Sequence, residues 1–313
     1  MAGSDRLERP SAAAGAELAV TPLRHPGRWV AAVVVAACAA GIVWSLAKNP
    51  NLHWPVIGQY LFTTLVFRGL WTTVWLTVVA MVLGLVGGTL VAVMRLSANP
   101  VLAGVAGVFI WAFRGTPLLV QIIFWGYLGA LYPRLLLGIP FTHVTWYSGA
   151  TSSVVTGSVA ALLALGLNEM AYAAEIVRAG IIAVDPGQRE AAHSLGLSPA
   201  TTMRRIVLPQ AMRVIVPPMG NETITMLKST ALVSVISGHD LLTNLQNVYS
   251  QNFEVIPLLV VASAWYLALT SVLSVPQRWL ERRYARGSAL ARPAGVWQRV
   301  VGWRPRRIAE VGR

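Results

Sequence analysis

Charge is scarce in this chain of 313 residues: Asp, Glu, Lys and Arg make up 12% of it, where an average soluble domain has roughly 25%. That leaves too few charged groups to cover a soluble fold of this size. Cysteine is rarer still. The single Cys38 excludes an internal disulfide, and no Cys/His cluster has the spacing of a metal site. There is no Gly-x4-Gly-Lys-[Ser/Thr] run, so the chain does not cradle a nucleotide by the usual route. Acidic residues number 12 against 25 basic ones, an imbalance that raises the question of a nucleic-acid partner.

Apolar sequence is abundant, at 55% of the chain. Trp29 to Ala47 holds 19 uncharged residues, Gly69 to Met94 holds 26 and Val255 to Gln277 holds 23. About 20 mostly apolar residues cross a hydrocarbon core of roughly 30 Å, so this is a polytopic membrane protein. The basic residues are sorted by the spans. Arg6, Arg9, Arg24 and Arg28 precede the first run, Arg95 follows the second, and Arg178, Arg189, Arg204, Arg205 and Arg213 crowd one loop. With the ten beyond Pro276, 20 of the 25 fall on one side of a six-span arrangement. Lys48, Arg68 and Arg134 fall on the other side, and Arg114 and Lys228 lie inside spans. This positive-inside asymmetry places both termini in the cytoplasm. It accounts for the net charge of +13 without nucleic acid, and the basic tail suits membrane lipid headgroups instead. Trp29 to Ala47 and its 28-residue polar leader are both too long for a usual signal peptide, so the run is expected to remain as a span.

The expected fold is all-α, a membrane helix bundle of about six spans. Residues 1–28 read as a disordered basic leader. Residues 29–68 hold the first span and an extracytoplasmic segment, in which Val56 to Phe67 reads as an interfacial helix. Further spans are expected over Gly69–Met94, Val101–Tyr132, Val154–Val177, Val214–Ile236 and Val255–Val275, and residues 288–313 read as a basic cytoplasmic tail. Gly84, Gly87 and Gly88 suit close helix packing. The stretch from Val101 reads as one long span kinked at Pro117, where the proline removes a helix hydrogen bond. Pro133–Ser153 and Ser237–Glu254 read as extracytoplasmic loops.

The long loop over residues 178–213 has its own construction. Asp185-Pro186-Gly187-Gln188 is a helix start, with Asp185 as N-cap, Pro186 at the first helical position and Gln188 placed for a capping box. Gly196 suits a left-handed stop. Ser198-Pro199 restarts a helix through Arg204, Arg205 and Leu208, and Pro209 is expected to limit it. Ala191 and Ala192 are small enough to leave a face that another protein approaches closely. The two competing readings are a plain connector, which rarely needs two capped helices, and a DNA-binding helix-turn-helix. A reader tethered between two spans is poorly placed to dock on DNA.

The spacing Glu190-Ala191-Ala192, then Gly196, then Ile206-Val207-Leu208-Pro209 resembles the "EAA" loop of permease subunits of ATP-binding-cassette importers. The likeness extends over 69–287 through Gly69-Leu70-Trp71-Thr72-Thr73 and the run from Phe113 through Arg114, Gly115, Thr116 and Pro117 to Gln121. Ala171 to Arg178, Gly220-Asn221-Glu222, Leu227-Lys228 and Leu232 to Ile236 continue it. Together these are similar to the polar amino acid branch, the histidine/glutamine/arginine permease type. The resemblance implies a five-span core, here with one extra amino-terminal span. It also implies a multi-pass protein of the cell membrane that translocates polar amino acids by alternating access. Its partners would be cytoplasmic ABC ATPase subunits docked on the 185–209 loop, an extracytoplasmic solute-binding protein, and a second permease copy or homologue. ATP and Mg would be bound by the partner ATPase, with no cofactor and no catalytic residue in this chain.

Ionisable groups inside spans cost about 2.5–3.5 kcal/mol or more and face the bundle interior. Here they are Arg114, Glu169, Glu175, Glu222 and Lys228. Glu175 and Arg178 are spaced to pair on one helix face. Glu169 lies near mid-span beside Asn168, with Tyr172 one turn on, and Asn221, Thr225 and Lys228 share a stripe. A polar amino acid needs acceptors for its ammonium and donors for its carboxylate. Glu169 can supply the first, and Lys228 or Arg114 the second; Thr116 lies beside Arg114. Interhelical ion pairing of these groups is the structural alternative. His53, His143 and His239 read as solvated loop residues. Two rival functions remain at this point. An ion-gradient-driven secondary transporter would use the buried carboxylates but leave the loop unexplained. An intramembrane protease would need Ser153 or Ser158 to have a His partner within a span, and none is there.

Overall fold

The computed structural model describes residues 26–138 and 145–284. Two compact units divide at Leu52/His53. The first holds helix α1, Pro26–Ala47, exposed along its described length and followed by a 3-10 turn at Pro50–Leu52.

The second unit is built from helices joined by tight turns. Helix α2, Trp54–Leu61, begins at His53, whose backbone is left-handed (φ 41°). The expected interfacial helix therefore stops at Leu61; Phe62 and Thr63 interrupt it before α3, Thr64–Arg95. Helix α4, Pro100–Gly115, is capped by Asn99 Oδ1, which accepts from the amide of Val101 at 2.9 Å. It breaks at Thr116-Pro117, and α5, Leu118–Gly126, leaves at 99°. The expected kink is thus a corner. The short α6, Leu128–Leu131, leads to strands β1 (Arg134–Gly138) and β2 (Thr145–Ala150), an antiparallel hairpin pairing Leu136 with Ser148. No strand was expected in that loop. Then come α7, Thr151–Val154, and α8, Gly157–Ile182.

Beyond α8 the loop holds α9 (Pro186–Ser194), α10 (Pro199–Thr202) and a π-turn at Met203–Val207. Helix α11, Leu208–Ser229, a 3-10 stretch at Thr230–Ile236, α12 (Leu241–Asn252) and α13 (Val255–Tyr284) complete the unit. Among the described residues, four helices are long and apolar enough to cross a membrane, namely α1, α3, α8 and α13, and the bent α4–α5 pair makes a fifth if counted as one span. Helix α11 stands where a further span is expected, but Arg213, Asn221, Glu222 and Lys228 make it more polar than the other long helices.

Helix α8 is the hub. Two apolar clusters lie along it. One joins Leu76 and Ala80 of α3, Ile122 of α5 and Met226 of α11 to Ala161, Ala164 and Leu165. The other joins Ala92, Ile110, Val207, Ala211 and Ile215 to Ala174, Val177 and Ile181. The glycines of α3 set its approach to α8 as expected: a β-carbon on Gly88 would fall 2.7 Å from Cβ of Ala173. His53 is not merely solvated, since its Nδ1 lies 2.7 Å from Glu254 Oε2 and fastens the start of α2 to the segment before α13. His239 is exposed, and His143 lies outside the described residues.

Candidate functional site

Two regions hold the singled-out residues: the loop after α8, and the polar groups along α8 and α11. In the loop, Asp185 Oδ1 accepts from the amide of Gly187 at 2.7 Å, as an N-cap should. The capping box does not close; the side chain of Gln188 instead accepts from Gln210 at 3.5 Å. Gly196 is left-handed (φ 72°). The amide of Leu197 bonds the carbonyl of Ala192 at 3.0 Å, and that of Gly196 bonds His193 at 2.9 Å, the paired bonds of a Schellman stop. Ser198 caps α10 by accepting from the amide of Thr201 at 3.3 Å.

Pro209 does not end the second loop helix. The π-turn, with its wider i→i+5 pattern, takes up the carbonyl clash and missing donor of a proline, and the helix runs on into α11. Glu190, Ala191, Leu208 and Pro209 are exposed and Ile206 half-buried, but Ala192 is covered by its own chain and packs the loop from within. Leu195, 79% exposed, stands at the outer end of α9. It was missed because a lone leucine among polar residues carries no periodic signal.

Within the bundle, Pro117 decides the local structure. The carbonyl of Phe113 would accept from the amide four residues on, which proline lacks. Gln121 Nε2 supplies a bond at 2.9 Å and Asn168 Nδ2 another at 3.1 Å. Gln121 also donates to the carbonyl and hydroxyl of Thr116, at 3.1 and 2.9 Å. Asn168 and Thr116 therefore hold the α4–α5 corner. The sequence alone does not reveal this task of Gln121, because its partners Phe113 and Thr116 are brought to it by the corner itself.

Glu169, on α8 between the two apolar clusters, is 2% exposed and its Oε1 has no hydrogen-bond partner. Glu222 of α11 acts on it electrostatically. Neither Lys228 nor Arg114 pairs with it; the ion pairs among the described residues are His53–Glu254 and Glu175–Arg178, the latter at 2.7 Å. Arg114 is exposed, with its guanidinium 5.0 Å from the ring centre of Tyr172. Asn221, Thr225 and Lys228 form an exposed stripe on α11, while Glu222 is half-buried. Gln277 of α13 donates to the carbonyl of Pro217 and to Glu281 Oε1, each at 2.8 Å, and ties α13 to the double proline of α11.

Residues 80–286 match the family described as the binding-protein-dependent transport system inner membrane component. The chain belongs to that family. It is 46% identical over 268 residues, 85% of this chain and 83% of the relative, to the arginine transport system permease protein ArgU of Corynebacterium glutamicum. It is 34% identical over 230 residues to the glutamine transport system permease protein GlnP of Escherichia coli, covering 74% of this chain and 94% of that one. Among solved structures, the crystal structure of an amino acid ABC transporter with histidines is 37% identical, covers 70% of this chain and 94% of its own, and superposes with a TM-score of 0.58. The chain is thus a multi-pass membrane permease of an ABC importer, in which ATP hydrolysis belongs to a separate subunit.

Proposed function

We propose that this permease carries polar amino acids, cationic ones foremost, past Glu169 by alternating access. The observation that carries the reading is the buried Oε1 of Glu169, which has no hydrogen-bond partner within the bundle. A buried carboxylate oxygen without a partner suits an ammonium or guanidinium group, which forms charge-assisted bonds to carboxylates. The likeness to an arginine permease points the same way. Asn168 and Thr116 shape the corner beside this place, and Arg114 over Tyr172 offers a donor for a substrate carboxylate. The stripe of Asn221, Thr225 and Lys228 would meet a second permease copy or a homologue.

The loop at 185–209 is the proposed ATPase dock. Its exposed Glu190, Ala191, Leu195 and Leu208 form the contact, and its unbroken passage into α11 would turn nucleotide-driven closure into rocking of that helix. Both termini would be cytoplasmic, and an external solute-binding protein would deliver substrate at the opposite end. The test is reconstitution. The purified full chain should retain a cytoplasmic ATPase, and in liposomes with a loaded binding protein it should import arginine only when ATP is supplied. Import driven by an ion gradient alone would refute the proposal.

A further inference from the structure

The loop is joined to its two flanking helices in unequal ways. On the α11 side the connection is helical throughout, from α10 through the π-turn. On the α8 side the helix stops at Ile182, and the chain crosses Ala183, Val184 and Asp185 before α9 begins. Each of those residues has two soft dihedrals, so the joint alone leaves the α8–α9 angle open. Val184 is buried in the apolar cluster with Ile181 and Val207. That fixes where the joint sits, but apolar burial is non-directional and sets no angle.

Arg189 supplies the direction. It stands near the start of α9, and its Nη2 donates to the carbonyl of Ile181 at 2.8 Å. Ile181 is in the last turn of α8, where carbonyls lack a donor four residues on and the helix dipole attracts a cation. Arg189 is half-buried, and its Nε is sealed from solvent without a hydrogen-bond partner, so the bond from Nη2 to Ile181 is the polar contact that anchors its guanidinium. Glu190 and Ala191, the next two residues, are exposed.

We infer that Arg189 is a positioning residue for energy coupling: it locks α9 to the end of α8, so that pressure on the docking face moves the helix that carries Glu169. This rests on the reading of the 185–209 loop as the ATPase dock. Arg189 itself touches neither substrate nor nucleotide in that scheme.

The test uses the whole transporter, this chain with its ATPase and binding protein, in liposomes, with Arg189→Lys, Arg189→Gln and Arg189→Met. The readouts are ATPase retention, basal hydrolysis and substrate imported per ATP. All three variants should keep the ATPase and basal hydrolysis. Import per ATP should fall about tenfold in Arg189→Met, within the usual range of coupling between sites. Arg189→Lys should recover most of it, because its ammonium reaches the carbonyl, and the shorter Arg189→Gln should not. Unchanged import per ATP in every variant would overturn the inference. Loss of the ATPase from all three would also overturn it, by making Arg189 part of the docking face. If Arg189→Met does not assemble, the Lys and Gln variants decide alone, and equal coupling in those two counts against the role. An unaltered chain that retains no ATPase would instead be a failure of the docking reading.

Discussion

Gly84 of α3 and Glu169 of α8 occupy one another's space: a β-carbon on Gly84 would fall 2.7 Å from Cβ of Glu169 and nearer still to its Cγ. The backbone of α3 thus forms one wall against the buried carboxylate. Gly84→Leu should push Glu169 from its place and separate the helices, at a cost of about 1–3 kcal/mol for overpacking. Thermal unfolding in detergent should show a lowered midpoint, with transport lost as well. An unchanged midpoint would mean the helices do not meet there.

Glu169→Gln preserves shape and removes charge. Transport of a cationic amino acid should fall sharply while ATPase retention and basal hydrolysis persist. Unchanged transport kinetics would remove Glu169 from the pathway.

Gly196→Leu puts a β-carbon at φ 72°, which should cost about 1–2 kcal/mol and undo the Schellman stop. The variant should insert but lose its ATPase on purification. Normal substrate-stimulated hydrolysis in the assembled variant would count against the docking role.

Asp240 caps α12, accepting from the amides of Leu242 and Thr243 at 3.0 and 3.3 Å and from the Thr243 hydroxyl. Burial nevertheless pushes its carboxyl above the ordinary carboxylate range, against the pull of those bonds. The unfolded chain therefore ionises first as pH rises. Stability is highest below the unfolded value and declines up to the folded one. Asp240→Asn keeps a cap acceptor and removes the titration. Raising the pH from about 4 should lower the unfolding midpoint of the native chain relative to the variant. A constant difference between the two would contradict this.

Ser250, exposed on α12, should be extracytoplasmic. In a Cys38→Ser background, Ser250→Cys should react with an impermeant thiol reagent from outside, and Ser198→Cys should not. The reverse pattern would invert the topology.

The caps at Asp185 and Ser198 and the stop at Gly196 were legible because each depends on two or three adjacent residues. Pro209 misled for the same reason: read locally it ends a helix, whereas the π-turn before it absorbs the defect. Pro117 announced a bend, but its 99° angle depends on Gln121 and Asn168, which no local window joins. The hairpin went unread because Arg134–Gly138 is a leucine run without alternation. The carboxylate of Glu169 was visible as an oddity in an apolar run. Its neighbours Gly84 and Glu222 were not, since other helices bring them to it.

The corner at Pro117 also bears on the order in which the chain is assembled. Helix α5 has nine residues, far short of the roughly 20 that cross a bilayer unaided. One donor that completes the carbonyl of Phe113 is Asn168, 55 positions later in the chain. As the polypeptide leaves the ribosome, the segment after Thr116 has neither the length to settle in lipid nor its full set of partners. The bond that Asn168 gives to the carbonyl of Phe113 forms only after α8 has been made, so the corner is completed later in synthesis than the helices it joins.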